Sequence, residues 1–177
     1  MAEFILAIDP SINKTGWSLF DLDKRSLRSY GTWSTGGTSK DNLVDRMETL
    51  RKIIREVEFP GGRNIIHIVI EFPDSWVRKG KKGAGANNVS NLLKLSFAAG
   101  WYAGKLPEIL SYVGVVKSTR TVQVSEWKGR DSKAKTEQMI RGLFGGRLPN
   151  KMNDHEADSI GLALWCEARM RLERAIV

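Results

Sequence analysis

Apolar residues fall in two rhythms along this chain, and the rhythms alternate. Phe4-Ile5-Leu6-Ala7-Ile8 is a continuous apolar run that Asp9 and Pro10 bring to a stop, as in a strand covered on both faces. Thr15–Phe20 and Leu27–Trp33 follow, with Asp21–Lys24 as the turn between them, which predicts an antiparallel meander. After Gly36-Gly37 the period changes. Leu43, Met47, Leu50, Ile54 and Val57 recur at spacings of three or four, predicting an amphipathic helix over 41–58 that Pro60-Gly61-Gly62 stops. Ile65–Ile70 is again almost uniformly apolar and β-branched, a second strand expected to be covered on both faces.

From Val89 to about Lys105 the helical period returns on two sides at once. Leu92, Leu95, Ala99 and Tyr102 form one stripe; Leu93, Phe97 and Trp101 form another, and Gly100 with Gly104 leaves a shallow groove. A helix apolar on two faces needs two partners, here expected to be the sheet and a second subunit. Pro107–Lys117 fits a short helix and a strand equally well. Arg120–Val124 alternates like a strand, Ser132–Phe144 reads as a basic helix ended by Gly145-Gly146, and Asp154–Ala175 is a final helix capped by Asn153. Meander strands followed by alternating helices and strands predict an α/β fold. The expectation is one mixed five-stranded sheet flanked by helices on both faces, in a single domain over 1–177.

Composition narrows the class. The 177 residues, 41% of them hydrophobic, suffice for one packed core and exclude a disordered chain. A net charge of +8 favours an anionic partner, of which nucleic acid is the commonest. Cys166 is alone and falls in a predicted helix, so no disulfide framework is expected and a reducing, cytoplasmic setting is. No apolar stretch approaches the ~20 residues a membrane span needs, and the N-terminus carries Glu3 and runs straight into a strand, unlike a signal peptide.

Candidate chemistry lies where the rigid elements end. Asp9 closes the first apolar strand, and Glu71 closes the Ile65–Ile70 run, where a charge beside a core is costly unless a cation or donor meets it. His155 and Asp158, three apart, share one face of the last helix; Asp154 and Asp158, four apart, offer a second pairing. Taken singly, each has an ordinary reading as a turn or helix cap. As a set they are oxygen and imidazole donors suited to hard divalent cations, and two such ions about 3.5–4 Å apart can clamp a phosphodiester. Arg78, Lys79, Lys81 and Lys82, among glycines in the loop over 73–86, and Lys128, Lys133 and Lys135 form two basic segments expected to meet phosphates. Trp76, in the first of them, fits a base-stacking wedge and a loop-anchoring core residue equally. That loop is expected to order only on DNA.

At these residues the chain resembles a family. Ile5-Leu6-Ala7-Ile8-Asp9-Pro10-Ser11 with Thr15-Gly16-Trp17 is similar to the opening of RuvC-type Holliday junction resolvases. Ile68-Val69-Ile70-Glu71 resembles their second acidic strand, and His155-Glu156-Ala157-Asp158-Ser159-Ile160 with Ala163-Leu164 their last helix. Lys128-Gly129 and Ser132 to Met139 resemble their basic segment.

The resemblance implies an RNase H-like fold, a homodimer, four-way junction DNA as substrate and hydrolysis supported by two Mg²⁺ ions, with Mn²⁺ able to substitute. Carried over by position, it makes Asp9, Glu71, His155 and Asp158 the catalytic and metal-binding residues, and selects His155 over Asp154. In the family that position takes aspartate or histidine. The lysine-rich loop after Glu71 and the residues around Pro107–Lys117 depart from the family pattern, leaving cleavage preference and any branch-migration motor open. Two alternatives are compatible with the same residues: a broader structure-specific endonuclease for flaps and forks, and a catalytically silent junction-binding protein. A phosphotransferase of the actin-like kind would need a glycine-rich phosphate loop, which Asp9-Pro10-Ser11-Ile12-Asn13 lacks.

Overall fold

A computed structural model describes residues 1–36, 42–55, 64–74, 85–129, 133–148 and 152–176, without the side chains of 85–89, 133 and 147. β1 (Glu3–Asp9), β2 (Lys14–Asp21) and β3 (Ser26–Ser34) form the expected meander. α1 (Leu43–Arg55), β4 (Asn64–Phe72), α2 (Gly85–Leu110) and β5 (Gly114–Gln123) follow, then α3 (Val124–Trp127), α4 (Lys133–Phe144) and α5 (Asp154–Ile176). The strands make one mixed sheet in the order β3-β2-β1-β4-β5, antiparallel within the meander and parallel from β1 outward.

Side chains alternate across a strand, so each apolar run supplies two faces. Phe4, Leu6 and Ile8 of β1 and Ile66, Ile68 and Ile70 of β4 pack with Met47, Leu50 and Ile54 of α1 and with Ala99, Tyr102 and Leu106 of α2. The opposite parity, Ile5, Ala7 and Val69, packs under Leu162, Ala163 and Cys166 of α5. This explains why β1 and β4 lack polar alternation. It also fixes the site, because Asp9 and Glu71 have the parity that faces α5. The parallel register pairs Ile8 with Ile70, which brings the two acids side by side at the strands' C-terminal ends.

Three differences from the sequence reading have physical causes. α2 starts four residues before Val89 and continues past Lys105 through Pro107, because Leu106, Ile109 and Leu110 are all buried and their packing outweighs the hydrogen bond Pro107 cannot donate. β5 starts at Gly114, well before Arg120. Its polar stretch is an edge strand, with a bulge opposite Ile66/His67 that places Lys117 out of register, a device that blunts sheet edges. A Cβ at Gly114 would lie 2.3 Å from the carbonyl oxygen of Asn64, so only glycine fits where the strand begins. α3, four residues long, is too short to show a period.

Candidate active site

β1 ends at Asp9, and Pro10 turns the chain away from the sheet. The next residues are held by Thr15, whose hydroxyl donates to the carbonyl of Ser11 at 2.8 Å and accepts from the Ser11 amide at 3.1 Å. The hydroxyl of Tyr102 on α2 donates to the same oxygen at 2.9 Å, so Thr15 is buried with its polar capacity used. Arg46 of α1 reaches the side chain of Asn13 in the same turn. Asp9 is therefore set by the strand on one side and a braced turn on the other.

α5 is brought to Asp9 by close backbone contact. A Cβ at Gly16 would lie 2.0 Å from the carbonyl oxygen of His155, so the first turn of α5 rests directly on the backbone of β2. The hydroxyl of Ser18 donates to the carbonyl of Ser159 at 2.9 Å, one turn further on. The helix start is a reciprocal capping box: the amide of Glu156 donates to Asn153 Oδ1 and the amide of Asn153 to Glu156 Oε2, each at 3.0 Å. Asp154 is exposed, whereas His155 is half-buried and turned to Asp9. Its Nδ1 donates to Asp9 Oδ2 at 2.6 Å.

Asp158, one turn along and 8% exposed, meets the ammonium of Lys128. Glu71 accepts a 3.0 Å hydrogen bond from the indole nitrogen of Trp127 on α3. Lys128 also lies over that indole, 5.2 Å from the ring centroid. Thus Asp9, Glu71, His155 and Asp158 share one cleft, with Trp127 and Lys128 as its wall.

The electrostatics of the cleft are unfavourable to its own acids. Burial, followed by the charges of Asp9 and Asp158, pushes the Glu71 carboxyl up to about 8, against the opposing hydrogen bond from Trp127. Asp9 is raised as well, chiefly by burial, with His155 opposing. A divalent cation would remove this repulsion, and three carboxylates with one imidazole are a donor set that fits one. Among the described residues, no three of these donors close into a ready-made cage. His155 is engaged by Asp9, and Asp158 by Lys128.

The remaining sequence candidates divide three ways. Lys128 lies against Asp158 inside the cleft, with its side chain only 10% exposed. Lys135 is exposed on α4, and Lys133 opens that helix with its side chain outside the described residues. Trp76, Arg78, Lys79, Lys81 and Lys82 also lie outside the described residues. The sequence reading missed Trp127. Its only signal was a tryptophan directly before Lys128, after a polar strand that was itself placed too late.

No protein-family model matches the chain. Two curated proteins named crossover junction endodeoxyribonuclease RuvC do. That of Rickettsia prowazekii is 25% identical over 162 residues, covering 92% of this chain and 95% of the relative. That of Paracidovorax citrulli is 28% identical over 167 residues, covering 90% and 81%. The chain is similar in sequence to both over most of its length. Its fold is that of Thermus thermophilus RuvC, solved in complex with a Holliday junction substrate, at a TM-score of 0.60 and 17% identity over 95% of this chain and 96% of that one. A second T. thermophilus RuvC structure aligns at a TM-score of 0.53 and 18% identity, over 94% and 96%. The five-stranded mixed sheet is thus the RuvC, RNase H-like arrangement.

Proposed function

We propose that this chain is a metal-dependent endonuclease that resolves four-way DNA junctions as a homodimer. The observation that carries the reading is the convergence of Asp9, Glu71, His155 and Asp158 at the strand ends of a RuvC-like fold, with the Glu71 carboxyl raised to about 8 by burial and its acidic neighbours. Asp9, Glu71, Asp158 and His155 would hold two Mg²⁺ ions, which supply charge to a phosphate oxygen and make water a nucleophile near neutral pH. Asp9, which meets His155 directly and lies in the field of Asp158, would be one of the holding residues. Lys128 pairs with Asp158 and would shift that contact to a phosphate oxygen of the bound strand. His155, held through Nδ1 by Asp9, would be a neutral-nitrogen ligand or a proton donor near the leaving 3′ oxygen. Products with 5′-phosphate and 3′-hydroxyl ends follow.

A homodimer is supported by α2, where Leu93 is 65% and Phe97 44% exposed, and where the exposed Gly100 and Gly104 have open space above them. Such a ridge beside a flat step suits a two-fold contact, and two-fold symmetry suits a junction with two equivalent strands to cut. Among the described residues no helix is long and apolar enough to cross a membrane.

The deciding experiment incubates the protein with Mg²⁺ and labelled four-way junction, Y-fork, flap and linear duplex. Paired, symmetric nicks in the junction are expected, with the other substrates cut far more slowly. Equal cutting of all four would replace the resolvase by a broader nuclease, and junction binding without cutting would leave a silent binder. Phe97→Asp should convert the dimer to monomer in light scattering.

A further inference from the structure

Beside the cleft, between α3, α4 and α5, the described residues line a cavity of about 370 Å³. Its walls are Trp127, Met139, Leu164, Trp165 and Ala168, with Lys128 and Lys135 as the charged groups and the hydroxyl of Thr136 as a neutral polar one. Gly161 forms the floor. A Cβ there would come within 2.9 Å of the Trp127 ring and 3.0 Å of Thr136, so the indole packs directly on the α5 backbone. The cavity is joined to the cleft through two residues. Trp127 turns its ring to the cavity and its N–H to Glu71, and Lys128 lines the cavity while its ammonium meets Asp158.

Indole walls, few polar groups and lysines at one side are the features of a site for a flat aromatic group that carries a phosphate. A DNA strand with its scissile phosphate over the carboxylates has such groups within one nucleotide's reach, and at a branch point its bases are the easiest to unstack. A protein segment is the poorer fit, because the two charged groups are both cations in a chain of net charge +8.

We propose that this cavity receives one unstacked nucleobase of the strand being cut, and that its fit sets which sequences are cut. This rests on the reading of the chain as a DNA endonuclease. A base stacked on Trp127 steadies the indole whose N–H holds Glu71, so a correct base completes the catalytic geometry and a poor one leaves it loose. Trp127 is a positioning residue in this scheme. Discrimination between sequences then falls on the single-turnover cutting rate more than on junction affinity.

The test uses four-way junctions carrying 5-iodo-deoxyuridine at each position within three nucleotides of the cut. They are bound to the full-length protein in Ca²⁺ and irradiated, and the cross-linked peptides are mapped. One position should cross-link to a peptide containing Trp127, Met139 or Trp165. Trp165→Ala should keep junction binding and lose that cross-link. It should also flatten the preference among junction sequences roughly tenfold in cutting rate, the scale of one lost base-stacking contact. Met139→Glu, at a residue 47% exposed, provides a second variant that tolerates the change and should weaken the same preference. Cross-links confined to other segments would overturn the proposal, as would variants that rank the sequences as the parent does. If the parent cuts junctions but shows no such cross-link, the cavity proposal alone falls. If it neither binds nor cuts DNA, the endonuclease reading falls and takes this proposal with it.

Discussion

The face of β1 and β4 that α5 covers carries acids at both ends, and the two ends treat them in opposite ways. At the start of β1, Glu3 accepts from His67 Nε2 at 2.8 Å and from the Arg174 guanidinium at 2.8 Å to each oxygen, with Lys117 at 3.9 Å. His67 completes its own bonding through Ser118 at 2.7 Å. Burial alone would raise the Glu3 carboxyl, but the hydrogen bonds from His67 and Arg174 outweigh it and hold it below its ordinary value. At the other end, Glu71 has one neutral indole donor and two acidic neighbours, with the charge of Lys128 a smaller opposing influence, and burial with those acids raises it to about 8. The same strands and helix can therefore surround an acid with cationic and hydrogen-bonding partners. That they do so at Glu3 and not at Glu71 marks the second end as a place prepared for something the protein chain does not supply.

The comparison breaks most visibly at Asp9. Asp9→Asn should leave junction binding within a fewfold of the parent and lower cutting by at least roughly 1,000-fold, since charge at that position is worth several kcal/mol to a metal-assisted reaction. Gel-shift and single-turnover assays on one preparation decide it, and full activity would remove Asp9 from the chemistry.

A smaller effect separates the two ends by their pH dependence. Because the Glu71 carboxyl is raised from 4.5 to about 8, the metal-free fold holds a proton that the unfolded chain releases. The stability this contributes is complete below about pH 4.5 and is lost as pH rises towards and through about 8. Glu3, depressed, acts in the opposite sense: its contribution is present above its unfolded value and disappears as pH falls through its lowered one. Thermal melts in chelator should therefore show Tm falling from pH 5 to 8, and Glu71→Gln should flatten that slope. Added Mg²⁺ should raise Tm most at the alkaline end, where no proton competes for the carboxylate. A Tm that climbs steadily over this range in the metal-free protein would contradict the assignment.

The smallest expected effect on cutting is at Glu3. Glu3→Gln should cost about 1 kcal/mol of stability, the scale of a charge-assisted hydrogen-bond set at a partly exposed position. The cutting rate per folded molecule should stay within about twofold. A large loss of activity with unchanged Tm would join the two ends functionally and undo the contrast.

The sheet was legible in the chain because β1 and β4 are apolar at both parities, and the amphipathic helix α1 because its apolar residues keep one period. β5 reads late because an exposed edge strand has little apolar alternation to show, and α2 reads only to about Lys105 because its continuation through Pro107 depends on partners elsewhere in the core. Within the candidate site, Asp9, Glu71, His155 and Asp158 were visible as reactive groups at the ends of elements. Trp127 was not, since its importance comes from an indole N–H meeting Glu71 across 56 residues of sequence, which no local pattern encodes. The ion pair of Lys128 with Asp158, 30 residues apart, was hidden for the same reason.

Gly16 has no functional group, yet the position of His155 depends on what it lacks. A methyl group there would have to displace the carbonyl of the helix and not a movable side chain, carrying the imidazole away from Asp9. The reactive corner of the molecule is thus dimensioned by a missing atom on a neighbouring strand. A survey of side chains that bind or transfer protons would pass over residue 16, while a complete substitution scan should find it among the least replaceable positions in the chain.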